Sequence, residues 1–522
     1  MARAVALPIA PSVIGSLEVR GGRLFYETRP LQLIDGDLPG QEGQLHEFDL
    51  PCGKDRIVAR GLDSHSLSAH GDTVAIRRDG AWHLLGTTLH PGPEVALDVS
   101  PLRMIVDPRL EWAEMVRNAW RLDRDVFFSR ATNGTDWPAV WATYARLLPH
   151  LGSGDDARYL LQQVQGELAS SHTFLLPARP SDPRPPVHAA FLGVDYALDP
   201  VSGRYRFARI LAGDNSRDEF RSPLAAPGLG LKDGDLLLAV NGRELRAPDN
   251  PDALLAGTTG SVTLTVAASD QGVRHTVQVV PLADEEALRR FDRTVRSRAL
   301  VDRLSGGRVG YVALSDFDGE GWGELVRQFY PQANRQALII DVRWNLGGFT
   351  SQAVLSVLRR TLAGGFVNRE HAVSPLPVTV PPRDMVTLLN WGTGSDGDQF
   401  AYYFREYGLG PLVGTRSWGG VQGINRPWSL MDGTGLLIPK DSLADASAHW
   451  IIENAGVAPD LQVDDRPDEG VTGQDVQLEA AVRVALDRLG AHPPNTATTP
   501  AELPAYPLAG VVPGASFAGS TR

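Results

Sequence analysis

Cysteine is nearly absent from this sequence: its 522 residues contain one, Cys52. A single thiol excludes an internal disulfide framework, so the chain does not need an oxidising compartment. Lysine is almost as scarce, with Lys54, Lys232 and Lys440 the only three, and no basic run of five or more residues occurs. The formal net charge of −12 lacks the positive surface that nucleic acid or an anionic membrane would reward. No stretch approaches the roughly 20 apolar residues of a membrane helix. The opening MARAVALPIAPSVIG contains two prolines and so makes a poor signal peptide. Together these absences read as a cytoplasmic soluble protein with neither nucleic acid nor membrane as partner. Also missing are H-E-x-x-H, any His/Cys cluster with zinc spacing, and a G-x-x-x-x-G-K phosphate loop. No metal and no other cofactor is expected.

What is present is ordinary globular composition, 43% hydrophobic and 21% charged, in a chain long enough for roughly three or four domains. The pattern predicts a multidomain α+β protein. Residues 1–104 look β-rich: apolar strands flank Gly21-Gly22 and Asp79-Gly80, a hairpin signal. Such hairpins resemble propeller blades, but about two blades cannot close a propeller. The segment therefore reads as the remnant of a longer propeller or as a truncated frame. Residues 105–180 read as a small helical domain. Trp112, Val116, Trp120 and Leu122 recur at helical spacing from Glu111, and Tyr159, Leu160, Val164 and Leu168 form a second series that ends at Ala169–His172. A Pro-rich linker follows at Pro177–Pro186.

Residues 187–283 centre on an apolar strand, Leu236–Val240, bracketed by Gly234-Asp235 and Asn241-Gly242. This run resembles the PDZ signature, and PDZ domains commonly add a peptide to a sheet edge; a purely bracing module fits the run equally well. Residues 284–490 alternate strand and helix. Val309–Leu314 and, but for Asp341, Ala337–Val342 are continuously apolar, as strands buried on both faces are, which implies an α/β layered domain. Residues 491–522 lack periodicity and read as a disordered tail.

Two glycine-rich turns at strand ends carry the chemistry. Asp341–Gly348 places paired glycines between a buried strand and the helix from Ser351, where exposed N–H groups suit an anion. Asn390–Asp398 again runs from strand through glycines to helix and puts Ser395 at the helix start, where an ordinary serine N-cap is equally natural. The sequence there is not G-x-S-x-G, because Thr393 replaces the first glycine. A nucleophilic serine needs a base, and 12 histidines are available.

Five blocks in order carry a family resemblance: Ser171-His172 after an amphipathic helix, the Asp341–Gly348 turn, Gly394–Asp398, Gly414–Gly420 and Glu453–Asp460. Over about residues 105–490 the chain resembles the catalytic half of the tricorn proteases, relatives of the tail-specific, C-terminal-processing serine peptidases. The resemblance implies a serine peptidase acting on short unfolded peptides, working as a homo-oligomer. It implies Ser395 as nucleophile, His172 as base, Ser171 and Glu453 as the network positioning them, and the N–H groups of Gly348 and Asp396 as oxyanion hole. A Ser-Lys dyad is not expected, because Gly420 stands at the distance where tail-specific peptidases have their lysine. With at most two blades, gating by propellers does not carry over. An acid that lines the family's substrate pocket aligns with Phe366, so apolar residues are expected there in preference to Arg or Lys. The competing reading is a catalytically inactive peptide-binding protein on the same scaffold.

Overall fold

A computed structural model describes residues 7–33, 36–37, 42–88, 92–176, 188–424, 427–468, 473–489 and 497–500. The chain divides into two compact units, Met1–Arg121 with Asp136–Val164 and Asp318–Glu320, and Leu122–Thr135 with Gln165–Phe317 and Gly321–Arg522.

In the first unit, β1 (Val13–Arg20), β2 (Arg23–Arg29), β3 (Gln44–Asp49) and β4 (Lys54–Arg60) form one antiparallel sheet in that order. A second sheet follows with β5 (Ser64–Leu67), β6 (Thr73–Arg78), β7 (Ala81–Gly86) and β8 (Val95–Leu97). Gly21 and Gly22 take φ of 56° and 76°, and Asp79 and Gly80 take 49° and 80°, the left-handed pairs that two-residue hairpins need. Phe25 and Leu45 of one sheet and Val74 and Ile76 of the other share a buried cluster. Each sheet is blade-like, as the hairpin spacing predicts.

Helix α1 (Pro108–Val126) begins three residues before Glu111, because proline is well suited to a first helical turn. Helix α2 (Trp137–Tyr144) was not legible from apolar periodicity; Asp136 caps it, accepting from Ala139 N at 3.1 Å. Helix α3 (Gly154–Gly166) stops short of the Ala169–His172 end read from the sequence. Ala169 and His172 have φ of 48° and 59°, so the helix cannot run through them. Its buried face is also shifted from the expected one: Tyr159 is 64% exposed and Leu161 is fully buried. The Pro177–Pro186 linker lies outside the described residues, as does most of the 491–522 tail; within that tail, Thr499 Oγ1 donates to His371 O at 2.8 Å.

In the second unit, β9 (Val194–Asp199), β10 (Arg204–Ile210), β11 (Leu236–Val240), β12 (Val262–Ala267) and β13 (His275–Val279) form an antiparallel sheet in chain order. All of β11 is buried, and Asn241 and Gly242 supply the tight turn after it, at φ of 47° and 78°. The α/β layer then runs α4 (Glu286–Ser305), β14 (Val309–Ala313), α5 (Gly319–Phe329), β15 (Ala337–Asp341), α6 (Ser351–Leu358), β16 (Gly364–Val367), β17 (Val373–Leu376), β18 (Asp384–Leu389), α7 (Asp396–Glu406), β19 (Leu412–Gly414), β20 (Leu461–Gln462) and α8 (Val476–Arg488). Strands β14, β15, β18, β19 and β20 form a parallel sheet in that order. Phe329 of α5, Leu355 of α6 and Phe404 of α7 cover one face. Val301 of α4 and Leu478 and Ala481 of α8 cover the other. Burial on both faces is why β14 and β15 read as nearly unbroken apolar runs. Among the described residues no helix is long and apolar enough to cross a membrane.

One ion network fastens the end of β15. Arg343 donates from Nη2 to Asp341 Oδ2 at 2.7 Å and bidentately to Asp475 at 2.9 and 2.8 Å. Asp475 in turn caps α8 through Leu478 N at 2.8 Å. The Arg343 side chain is 13% exposed. Arg343→Met leaves the buried Asp341 carboxylate and the partly exposed Asp475 carboxylate without their cation, so it should destabilise the fold by about 3 kcal/mol. Urea unfolding measures this, and an unchanged midpoint contradicts it.

Candidate active site

Strands β15 and β18 are neighbours, so the glycine-rich turns that follow them are brought side by side. Buried polar groups stitch the turns together. Asn390 Oδ1 accepts from Trp344 N at 3.0 Å and from Gly392 N at 3.1 Å. Asn345 Oδ1 accepts from Gly347 N at 2.9 Å, Asn345 Nδ2 donates to Leu314 O at 3.0 Å, and Asn345 O accepts from Gly394 N at 2.9 Å. Thr393 Oγ1 donates to Val342 O at 2.8 Å. The approach is close enough that a Cβ on Gly347 would stand 2.6 Å from Ser395 Cβ and 2.7 Å from Asp396 N. Glycine at φ 108° is what lets the two turns touch.

Ser395 has φ 55° and ψ −119° and makes no side-chain cap bond to α7. A non-glycine residue in such a conformation costs about 1–3 kcal/mol, so the N-cap explanation of this serine fails. Its Oγ instead lies 3.2 Å from His172 Nε2. His172 Nδ1 lies 2.8 Å from Ser171 Oγ, and Ser171 Oγ donates to Glu453 Oε2 at 3.0 Å. The proton positions follow from valence. The Ser171 hydroxyl has one hydrogen, which goes to the carboxylate, so it accepts from Nδ1–H and leaves Nε2 bare toward Ser395. Glu453 also accepts from Ser171 N at 2.7 Å and Val421 N at 2.9 Å. Ile452 and Asn454 on either side of it have φ of 69° and 59°, and Asn454 Nδ2 donates to Ala169 O at 2.8 Å.

His172 is buried, with Phe174 and Trp418 ring centroids 5.8 and 5.4 Å from its own. That burial lowers its pKa below the ordinary histidine value, against a smaller opposing pull from Glu453. The imidazole is therefore neutral near pH 7, as a base must be. Asp396, the first residue of α7, points its carboxylate at Ser351 N, 2.8 Å away, and fixes the start of α6.

The sequence reading thus named four groups that the structure joins in one line, Ser395, His172, Ser171 and Glu453, and one pair of turns, at Gly348 and Asp396, that it places beside them. Phe366 is not part of this cluster: it stands 70% exposed on β16, opposite Ser374 of β17. The reading missed Asp398. Its carboxylate is fully buried and accepts from Ser417 Oγ, from Gly419 N at 3.0 Å and from Gly420 N at 3.2 Å, holding the strip that carries Trp418. The available signal was an acid at the glycine-rich entry to a helix that carries Phe400, Ala401 and Phe404 on its buried face.

Burial pushes the Asp398 carboxyl up to about 6, its hydrogen bonds offsetting part of the effect. A carboxyl raised in the fold adds stability that is fully present below its unfolded value and is lost as pH rises through the folded one. From about pH 4 to about pH 6 the wild type should therefore lose up to about 3 kcal/mol relative to Asp398→Asn. Urea unfolding at a series of pH values reads this difference, and parallel curves for the two proteins contradict it.

Three family models match successive parts of the chain: the tricorn protease C1 domain at residues 108–166, the tricorn protease PDZ domain at 190–284 and peptidase family S41 at 308–463. The chain is 35% identical over 518 residues to tricorn protease homolog 1 of Streptomyces coelicolor, covering 96% of this chain and 48% of that one. It is 28% identical over 449 residues to the tricorn protease of Thermoplasma acidophilum, covering 86% and 42%. A solved tricorn protease structure superposes with a TM-score of 0.80 at 26% identity, over 92% of this chain and 47% of that one. The chain thus spans about half the length of the curated relatives it matches. With the three models in order and the fold shared throughout, the chain belongs to the tricorn protease family, its residues 308–463 being a peptidase family S41 domain.

Proposed function

We propose that this chain is a serine peptidase that cuts short, unfolded peptides through an acyl-enzyme. The observation that carries the reading is the unbroken line from Ser395 Oγ through His172 and Ser171 to Glu453, with contacts of 3.2, 2.8 and 3.0 Å. Ser395 Oγ attacks the peptide carbonyl as His172 Nε2 takes its proton. The imidazolium formed is stabilised through Ser171 by the Glu453 carboxylate. The carbonyl oxygen becomes an oxyanion, received by the N–H groups of Gly348 and Asp396, whose turns lie against each other at Gly347. Donors of this kind typically contribute about 3 kcal/mol each. His172 returns the proton to the leaving amine, the C–N bond breaks, and water repeats the sequence on the ester to release the acid and restore Ser395.

Family membership and the single cysteine support a cytoplasmic setting, and the resemblance is the ground for a homo-oligomer. Phe366, exposed on its two-stranded ribbon, is free to meet the residue on the acyl side of the cut, where an apolar side chain is then favoured over a basic one.

Ser395→Ala should abolish turnover of a fluorogenic peptide and leave the unfolding midpoint nearly unchanged, since the side chain caps nothing; retained turnover rules out this nucleophile. In the same assay, matched Leu and Arg peptides should differ in kcat/KM in favour of Leu. An Arg preference means that Phe366 does not line the pocket.

A further inference from the structure

Two tryptophans stand partly in water on the turns that carry Gly347 and Ser395. Trp344 is 48% exposed and Trp391 59%, and their rings meet edge-on with centroids 4.6 Å apart. The apolar clusters on both faces of the parallel sheet are built from other residues, so core packing does not account for either ring. Trp344 is also held at φ 65°, a left-handed conformation that is an outlier for a bulky residue. The Asn390 side chain holds it there through Trp344 N. Its ring lies over Gly392, where a Cβ would come within 2.5 Å of a ring carbon; any larger residue at position 392 would displace it. Leu346, 76% exposed on the same turn, extends the apolar surface. Trp344 and Leu346 together form one wall of a cavity of about 970 Å³ that reaches back to α4.

A strained backbone, a glycine shaped to the ring and an exposed aromatic face are a combination that serves nothing inside the fold. Observed strain of this kind is a pointer to function. Trp391 precedes Ser395 by four residues and Trp344 precedes Gly348 by four, on the two turns that the peptidase reading sets around the substrate. We propose that Trp344 and Trp391, with Leu346, form a substrate subsite that takes a large apolar side chain, aromatic or long aliphatic. This rests on the peptidase reading above and adds the substrate class to it. Aromatic faces also attract guanidinium and ammonium groups. Here, however, the cavity behind the rings is lined by charges of both signs that pair with one another, Arg343 with Asp341 and Asp475, Arg289 with Glu285 and Arg290 with Glu286, so the rings and Leu346 are the surface the proposal rests on.

Cleavage of a randomised peptide library, mapped by mass spectrometry, tests the proposal with the wild type, Trp391→Ala and Trp391→Phe. At one substrate position the wild type should favour Phe, Trp, Leu or Met over Ala by roughly tenfold or more in kcat/KM. Trp391→Ala should flatten that preference and Trp391→Phe should keep most of it. Should Trp391→Ala not fold, Leu346→Ala and Trp391→Phe read the same preference, each expected to weaken it in part. A wild-type profile flat at every position, a preference for Arg or Lys where the tryptophan variants act, or a preference untouched by these substitutions overturns the subsite. A wild type that cuts a broad range of peptides without preference removes the subsite alone, whereas one that cuts nothing removes the peptidase reading as well.

Discussion

The Glu453 carboxylate accepts hydrogen bonds from Ser171 N, Ser171 Oγ and Val421 N, and so joins three stretches of chain that lie far apart in sequence. Charge-assisted bonds of this kind are stronger than neutral ones, and here they settle more than position. Because the carboxylate can only accept, it fixes the direction of the Ser171 hydroxyl, and that direction fixes which imidazole nitrogen carries the proton. His172 is left with its bare nitrogen toward Ser395. Burial beneath Phe174 and Trp418 keeps the ring neutral. A solvent-facing histidine with the other tautomer would have the same sequence neighbours and none of this chemistry.

The opposite half of the site depends on strain that the sheet can hold. Ser395 and Trp344 both sit in left-handed backbone, and neither would stay there in an isolated loop. Parallel pairing of β15 with β18 brings the turns together. Asn345, Asn390 and Thr393, all buried, then satisfy the backbone groups that the turns leave unpaired. Beneath them Arg343 fastens the strand end to the cap of α8, and Asp398 fastens the start of α7 to residues 417–420. The turn geometry is thus the visible end of a buried polar framework.

Much of this was legible in the sequence because it is local. Gly21-Gly22, Asp79-Gly80 and Asn241-Gly242 announce hairpins through φ alone, and Val309–Leu314 and Ala337–Val342 announce strands covered on both faces. The line Ser395–His172–Ser171–Glu453 was reached through blocks matched in order, since no local rule brings residue 172 to residue 395. What stayed hidden is set by tertiary contact. Helix α3 ends at Gly166 because the segment after it is pulled into left-handed turns that carry Ser171 and His172 to Glu453. Asp398 looked like one more turn residue, and only the fold shows that it organises the strip bearing Trp418. The exposure of Trp344 and Trp391 could not be read at all, because apolar residues beside a glycine-rich turn are as easily core as rim.

The central claim is that Ser395 is activated by His172. Reacting the chain with a fluorophosphonate and mapping the adduct by peptide mass spectrometry measures this directly, because only an activated serine reacts readily. The account requires an adduct on Ser395 that disappears in His172→Ala; an adduct on another serine, or one on Ser395 that persists without His172, would contradict it.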